Sequence, residues 1–360
     1  HSFPTRALPI SRDGELVPGT AIELDIEQKA VTYDGILDVG FTRNFASSQA
    51  YRAQFGNAED IIPADADDGL DFAKLDRKND RGESVYDWLG FEAAALIYGF
   101  LDAAVTDPGV TVDFLAFDLN LPDLVARLAA LGPRLRAVID DSKATTDGKP
   151  SGHDRPESCE SRAAAMLTAA GAEVRRTHFA GLQHHKVMVQ RRNGVPEKVL
   201  CGSTNFSFRG LYIQANNVLV FSSAEVAGWF GRMFEQAFAD PHRFRGSDLA
   251  RTWHAVPHAG GPTVQLCFSP HTETGLSLDP IATAADQATS SALYSLAFLA
   301  QMGQGPTRDA LDRLIHRPIF SCGTVDTRGK LELVKPDGAR GLVDFRYLGS
   351  KAPEPFKREW

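Results

Sequence analysis

The sequence predicts an α/β protein made of two related α/β/α units, each with a mixed β-sheet flanked by helices. Three observations support this fold class. Helix-like and strand-like segments alternate from residue 85 onward, and the same order of segments recurs in the second half of the chain. At 360 residues the chain also exceeds the roughly 250 to 300 residues at which a single core stops growing. The length therefore allows two domains or one two-lobed body.

The first unit is predicted to open with a helix and a buried strand. Tyr86 to Ala104 has the composition of a helix, and Val110 to Leu119 is a nearly continuous apolar run, typical of a strand covered on both faces. The segment PDLVARLAALG predicts a second helix, with Pro122 in its first turn and Gly132 at its end. Arg134 to Asp140 is the next predicted strand.

A third helix and a hairpin complete the first unit. Glu160 to Ala170 is rich in alanine and ends at Gly171, and the segment AEVRRTHF after it predicts a strand. The segments KVMVQRR and VPEKVLCG are joined by Asn193 and Gly194, a pair favoured in two-residue hairpin turns. The chain therefore predicts an antiparallel hairpin at this point.

The second unit repeats the first in shortened form. The segments ALYSLAFL, TRDALDRLIH and PIFSCGTVD correspond to the strand, helix and strand that begin the first unit. We therefore predict an N-terminal region at 1–84 that packs on the first unit, a first unit at 85–250 and a second unit at 251–360. The second unit stops before an equivalent of the polar motif described next.

Five polar or small residues lie at the two ends of the predicted hairpin. We predict that His184 and Lys186 lie on the first strand of the hairpin, where they share a face of the extended chain, and that the hairpin returns to Gly202, Ser203 and Asn205. Imidazole has a free nitrogen nucleophile near neutral pH. Ammonium and amide groups can stabilise charge on phosphate oxygens without a metal. The combination favours nucleophilic attack on phosphorus.

This pattern resembles the signature of the phospholipase D superfamily, H-x-K-x4-D followed by G-(S/T)-x-N. The match consists of His184, Lys186, Gly202, Ser203 and Asn205, and the similar order of elements spans about residues 85 to 360. The resemblance implies two phospholipase D-like units and a phosphohistidine formed on His184. It also implies that Lys186 and Asn205 hold the phosphate, while Ser203 and Gly202 support its pocket.

Two features depart from the signature. Arg191 stands where the motif has its aspartate, and a second H-x-K is absent from the sequence. Members of the superfamily pair two such motifs, because one histidine attacks while the other protonates the leaving group. We therefore expect the second motif on a segment that follows Trp360 or, as the less favoured alternative, on a homodimer partner.

The resemblance leaves three functions open. The first is hydrolysis or transphosphatidylation of a phospholipid head group, the second is cleavage of DNA or RNA by the same chemistry, and the third is phosphate binding with weak catalysis. The net charge of −8 favours a lipid or small diester, since duplex binding usually needs a basic surface.

The sequence gives no support for a metal or an organic cofactor. The acidic loop that begins at Asp65 has Gly69 at its fifth position, whereas a calcium loop of the EF-hand type needs glycine at the sixth. Pro257 lies between His254 and His258 and disfavours the helix that would bring both to one zinc ion. Four widely spaced cysteines indicate a reduced, cytoplasmic protein, although the sequence leaves open a removed leader.

Overall fold

A computed structural model describes most of the chain. It covers residues 31–256 except 34, 45–46, 59 and 147, residues 263–297, and residues 304–325 except 315 and 318. It also covers short strands within 3–26 and 332–342. The N-terminal strands pair as β1 with β4 and β2 with β3; they are β1 Phe3–Thr5, β2 Ile10–Arg12, β3 Glu15–Val17 and β4 Leu24–Ile26.

One eight-stranded mixed sheet forms the centre of the molecule. The strands up to residue 221 are β5 Val31–Tyr33, β6 Leu37–Phe41, β7 Val110–Ala116, β8 Leu135–Ile139, β9 Thr145–Thr146, β10 Lys149–Pro150, β11 Glu173–Arg176, β12 Val187–Arg192, β13 Val195–Gly202 and β14 Asn217–Phe221. The order in the sheet is β11-β8-β7-β12-β13-β14-β6-β5, and β9 and β10 form a separate hairpin. Strands β11, β8 and β7 are mutually parallel, and every other neighbouring pair is antiparallel.

Helices cover both faces of this sheet. They are α1 Ser48–Phe55, α2 Val85–Thr106, α3 Pro122–Leu131, α4 Cys159–Ala169, α5 Phe208–Tyr212, α6 Ala224–Ala239 and α7 Pro241–Phe244. Buried residues of α1 to α5 form one core cluster, and those of α6 and α7 form the other. This arrangement confirms the predicted mixed sheet flanked by helices.

The strand β7 shows why its sequence is almost continuously apolar. Val112, Phe114 and Ala116 belong to the core under α1 to α5, whereas Leu115 belongs to the core under α6 and α7. Successive side chains of a strand point to opposite faces, so a strand in the middle of a three-layer structure needs apolar residues at both parities.

The predicted hairpin of β12 and β13 is present. Its turn residues Asn193 and Gly194 have φ angles of 52° and 81°, the left-handed values that a two-residue turn of this kind needs. Strand β12 pairs with β13 on one edge and with β7 on the other, where Val187 lies opposite Leu115. The hairpin is therefore held in the middle of the sheet.

Helix α2 is the longest described helix. Ser84 caps its N-terminus, because the Ser84 side chain accepts a hydrogen bond from the Asp87 amide. By length and composition alone it could span a membrane. Its buried residues, which include Leu89 and Ile97, nevertheless belong to the core cluster on the sheet, and a buried core helix satisfies the same two criteria.

The C-terminal part repeats the motif of a parallel strand pair with a helix between. Its elements are β15 Trp253–Ala255, β16 Gln265–Cys267, α8 Leu278–Asp286, β17 Ser291–Leu296, α9 Pro306–Leu314, β18 Phe320–Val325, β19 Glu332–Val334 and β20 Arg340–Leu342. Strands β17 and β18 are parallel, as β7 and β8 are, and α9 connects them as α3 connects β7 and β8. The boundaries at residues 84 and 250 stay predictions. Strands β5 and β6, which precede residue 84, are part of the eight-stranded sheet.

A group of charged residues joins β7, β8, β12 and α6. Asp113 is almost fully buried and receives Nε of Arg191 at 2.5 Å and Nε of Arg136 at 2.8 Å. Glu235 also contacts both guanidinium groups, at 2.7 Å and 3.0 Å. Arg191, which stands at the aspartate position of the superfamily motif, thus neutralises a buried carboxylate within the sheet.

We expect Arg191→Gln to lower the free energy of unfolding by about 2 to 3 kcal/mol, because Asp113 stays buried with one of its two cationic partners. The matched control is Arg192→Gln, whose partners Asp107 and Glu197 lie at the surface, and for which we expect a much smaller change. Urea denaturation of the two variants measures both values. Equal losses for the two variants would contradict this account.

Candidate active site

The predicted site residues lie at one edge of the eight-stranded sheet. Strands β7 and β8 both end there, and Phe117, Asp118 and Asp140 follow them. Because β12 is antiparallel to β7, the residues that precede Val187 lie at the same edge. Strand β13 ends there too, since Cys201 lies opposite Val187. In α/β sheets this edge, the carboxyl end of the parallel strands, is where ligands usually bind.

His184 and Lys186 are brought together as the spacing predicted, but the prediction that they lie within the strand is wrong. Strand β12 begins at Val187, and both residues belong to the segment that leads into it. The rings of His184 and Phe117 have centroids 4.7 Å apart, and the Lys186 ammonium lies 5.0 Å from the centroid of the same Phe117 ring. Nζ of Lys186 also donates to the His184 carbonyl at 2.6 Å.

The two side chains differ in exposure. His184 is exposed, whereas Lys186 is buried with 6% of its surface accessible. Burial lowers the pKa of Lys186 to about 8, against the opposing charges of Asp118 and Asp140. Partial desolvation and the adjacent Lys186 charge lower the pKa of His184, again opposed by Asp118 and Asp140. The lowered pKa favours the neutral form of the exposed His184 ring, and the buried ammonium of Lys186 lies next to it.

The segment from Gly202 to Asn205 is fixed mainly by β14. Gly202 has a φ of 150°, and a Cβ atom there would lie 2.3 Å from the Asn217 carbonyl oxygen, so only glycine fits. Ser203 Oγ donates to Asn216 Oδ1 at 3.0 Å and accepts from the Asn217 amide at 3.1 Å. The hydroxyl of Ser203 therefore shapes the loop.

Asn205 is half-buried beside the segment that follows β7. Its neighbour Phe206 bridges to Leu119, and the Asn120 amide donates to the Phe206 carbonyl at 3.2 Å. The amide oxygen Oδ1 of Asn205 is buried and has no hydrogen-bond partner within residues 31–256 as described. Such a group is available to a ligand, because leaving it unpaired in the folded protein is costly. In the described contacts, neither Ser203 nor Asn205 touches His184 or Lys186.

A cluster that the sequence analysis missed lies next to these residues. His153 Nδ1 is 2.9 Å from Asp140 Oδ2, and its Nε2 is 3.4 Å from Asp118 Oδ1 and 4.0 Å from Glu160 Oε1. The ring of His153 packs on Phe117 with centroids 4.6 Å apart. Phe117 thus contacts His153, His184 and Lys186.

The cluster contains a set of donor atoms that could hold a metal ion. One atom each of Asp118, His153 and Glu160 lies within 4.8 Å of the others. The sequence analysis missed Asp118 and Asp140 because it placed both within predicted strands, whereas β7 ends at Ala116 and β8 ends at Ile139. His153 lies in the loop before α4, where no periodic pattern marks it.

Two further histidines, His185 and His254, make structural contacts. His185 packs on Phe179, and its Nε2 lies 2.9 Å from the Ser269 carbonyl oxygen. Burial lowers the pKa of His185 to about 4, so its ring is neutral. His254 lies in β15 with Nε2 3.1 Å from the Leu249 carbonyl oxygen, and His258 lies outside the described residues.

Comparison with known proteins identifies the family of this region. The family model described as "Cardiolipin synthase, PLD-like domain" matches residues 111–238. That segment runs from β7 to α6 and contains all the site residues described above. The comparison with curated proteins gave no match.

Three solved structures show partial similarity. Nuc from Salmonella typhimurium, described as a phospholipase D family member, is 22% identical, with a TM-score of 0.32 over 41% of this chain and 88% of Nuc. Polyphosphate kinase from Porphyromonas gingivalis is 13% identical, with a TM-score of 0.44 over 70% of this chain but only 38% of the kinase. NucT from Helicobacter pylori is 10% identical, with a TM-score of 0.29 over 40% of this chain and 91% of NucT.

The polar residues at the sheet edge and the family match cover the same segment. Residues 111–238 of the chain therefore match a phospholipase D-like domain.

Proposed function

We propose that the chain is a metal-independent phosphodiesterase of the phospholipase D type, which cleaves its substrate through a phosphohistidine on His184. The observation that carries this proposal is the exposed His184 ring with a lowered pKa, next to the buried ammonium of Lys186. A nucleophilic imidazole must be neutral, and a buried cation attracts a phosphate oxygen more strongly than an exposed cation would.

The proposed reaction has two displacements at phosphorus. In the first, an imidazole nitrogen of His184 forms a bond to phosphorus while the bond from phosphorus to the leaving alcohol oxygen breaks, and an acid protonates that oxygen. In the second, water or another alcohol attacks phosphorus, loses its proton to the same acid acting as base, and releases His184. The Lys186 ammonium and the side-chain NH2 group of Asn205 donate to the non-bridging oxygens throughout.

The proposed acid is the histidine of a second H-x-K motif. In the first unit, β7 pairs with β8 on one edge and with β12, which leads from the motif, on the other. Strands β17 and β18 repeat the first of these pairings. By this analogy, a hairpin from a segment that follows Trp360 would pair with β17. A homodimer partner is the less favoured source of the second motif.

We favour a phospholipid head group as the substrate. The net charge of −8 gives little general attraction for a nucleic acid. Leu182, two residues before His184, has 47% of its surface exposed and adds apolar area near the site. Cleavage of DNA or RNA is the alternative outcome of the experiment below, and phosphate binding without turnover is the third.

The substrate experiment compares head-group release from phosphatidylcholine and phosphatidylethanolamine vesicles with cleavage of labelled DNA and RNA oligonucleotides. The full-length protein should release choline or ethanolamine, and the rate should be unchanged in excess EDTA, because the proposed chemistry uses no metal. Rates that fall to background in EDTA and recover with a divalent ion would contradict the metal-free mechanism. Cleavage confined to oligonucleotides would favour the nuclease alternative.

Replacing each of the two adjacent histidines tests the nucleophile. His184→Gln should lower kcat by about 10³-fold or more, because no group replaces the attacking nitrogen. His185→Gln is the matched control. It removes an imidazole of equal size that packs on Phe179 and contacts the Ser269 carbonyl oxygen, so it should lower the thermal midpoint with little change in kcat. Mass spectrometry of acid-labile phosphate on His184 after rapid quench provides an independent measurement, and equal kcat losses would argue against this assignment.

The pH dependence of kcat/KM should be bell-shaped. On the acid side the rate falls as His184 becomes protonated, at a pH below the ordinary histidine range since its pKa is lowered. On the alkaline side the rate falls near pH 8, where Lys186 loses its proton. In Lys186→Arg the guanidinium stays charged, so the alkaline limb should move to higher pH even if the maximal rate is lower. An alkaline limb that stays at the same pH in this variant would exclude Lys186 as its source.

A further inference from the structure

The backbone around His184 is held by side chains instead of by a neighbouring strand. Strand β12 begins at Val187, which lies opposite Leu115 of β7 and Cys201 of β13. In the described part of the chain, neither pairing extends to residues 183–186. The backbone amide and carbonyl groups of this segment need other partners, because an unpaired buried polar group destabilises the folded protein.

Gln183 supplies such partners for the residue that follows His184. Its side chain is fully buried. Oε1 of Gln183 accepts from the His185 backbone amide at 2.8 Å, and Nε2 donates to the His185 carbonyl oxygen at 3.2 Å. These two bonds fix the orientation of the side-chain amide, since the backbone N–H needs an acceptor and the carbonyl needs a donor. The Gln183 side chain thus reproduces the pair of hydrogen bonds that a residue of an antiparallel strand would make.

The chain is also anchored on both sides of this contact. The Gln183 backbone amide donates to Oδ1 of Asp140 at 2.6 Å. Asp140 is fully buried, and its Oδ2 accepts from the amide and the hydroxyl of Ser142 at 3.0 Å and 2.5 Å. Nζ of Lys186 donates to the His184 carbonyl oxygen at 2.6 Å. The backbone before and after His184 is therefore fixed by buried polar groups.

We infer that Gln183 is a positioning residue: its buried amide holds the backbone of His185 and thereby aims the ring of His184. This inference rests on the proposed role of His184 as the nucleophile. Attack requires the nucleophilic atom to lie about 3 to 3.5 Å from phosphorus in an aligned approach. Because the His184 ring is exposed and packs on Phe117, much of its orientation must come from the backbone. Gln183 itself is buried and takes no part in bond making.

A second buried glutamine in β12 provides a matched control. Gln190 has 4% of its surface exposed, and its Nε2 donates to the Phe100 carbonyl oxygen at 2.7 Å. It lies in the half of β12 that leads to the hairpin turn, away from the end at which His184 lies. Methionine is close to glutamine in length and volume but cannot donate a hydrogen bond from its thioether. The same substitution therefore removes a buried hydrogen bond at either position.

Steady-state kinetics on the phospholipid vesicles compare the wild type with Gln183→Met and Gln190→Met. Both variants should have a lower thermal midpoint, because each loses a buried hydrogen bond. Gln183→Met should also lower kcat by about 10- to 100-fold, with KM within about twofold of the wild-type value. Gln190→Met should keep the wild-type kcat. Equal kcat values in the two variants, or a loss in Gln183→Met that falls on KM alone, would overturn the inference.

Amide hydrogen exchange followed by NMR tests the contact without turnover. In the wild type, the His185 amide should exchange as slowly as the amides of β12. Gln183→Met should accelerate its exchange by about tenfold or more, and Gln190→Met should leave it unchanged. If Gln183→Met does not fold, the wild type still decides, because a His185 amide that exchanges as fast as that of the exposed Leu182 would overturn the inference.

The two measurements separate the role of Gln183 from the proposed reaction. An inactive wild type in which Gln183→Met still accelerates exchange at His185 would refute the reaction at His184. An active wild type in which Gln183→Met leaves both kcat and this exchange unchanged would overturn the role of Gln183 alone.

Discussion

The position of strand β12 is the constraint on which the site depends. This strand pairs with β7 on one side and β13 on the other, so its register fixes three chain segments at one edge of the sheet. A shift of one residue would exchange the two cores that β12 contacts, because Met188 belongs to one and Val189 to the other. The burial of both faces therefore holds His184 and Lys186 at the end of β7.

Electrostatic balance is the second determinant of the site. Burial lowers the pKa of both Lys186 and His184. The charges of Asp118 and Asp140 raise the pKa of both side chains and so partly offset burial. Phe117 separates them from His153 and contacts all three side chains. An apolar ring in this position limits solvent access, and charges interact more strongly where water is excluded. The site combines acidic and basic groups whose individual charges depend on one another.

Arg191 shows how a departure from a family motif can have a structural basis. Its guanidinium lies 2.5 Å from the buried Asp113 and 3.0 Å from Glu235. An aspartate at this position would add a third carboxylate to that pair. The arginine in the motif therefore pairs with the carboxylates on β7 and α6. The carboxylates that raise the pKa of the proposed nucleophile, Asp118 and Asp140, follow β7 and β8.

The sequence by itself determined the element types and the pair of His184 and Lys186. Burial on both faces makes a strand such as β7 continuously apolar, and a tight hairpin needs residues such as Asn193 and Gly194, so both features are local and can be read from the chain. The tertiary structure alone decided that His153, Asp118 and Asp140 meet beside Phe117. Those residues come from separate loops, and their distances depend on strand order and register, which no local sequence pattern encodes.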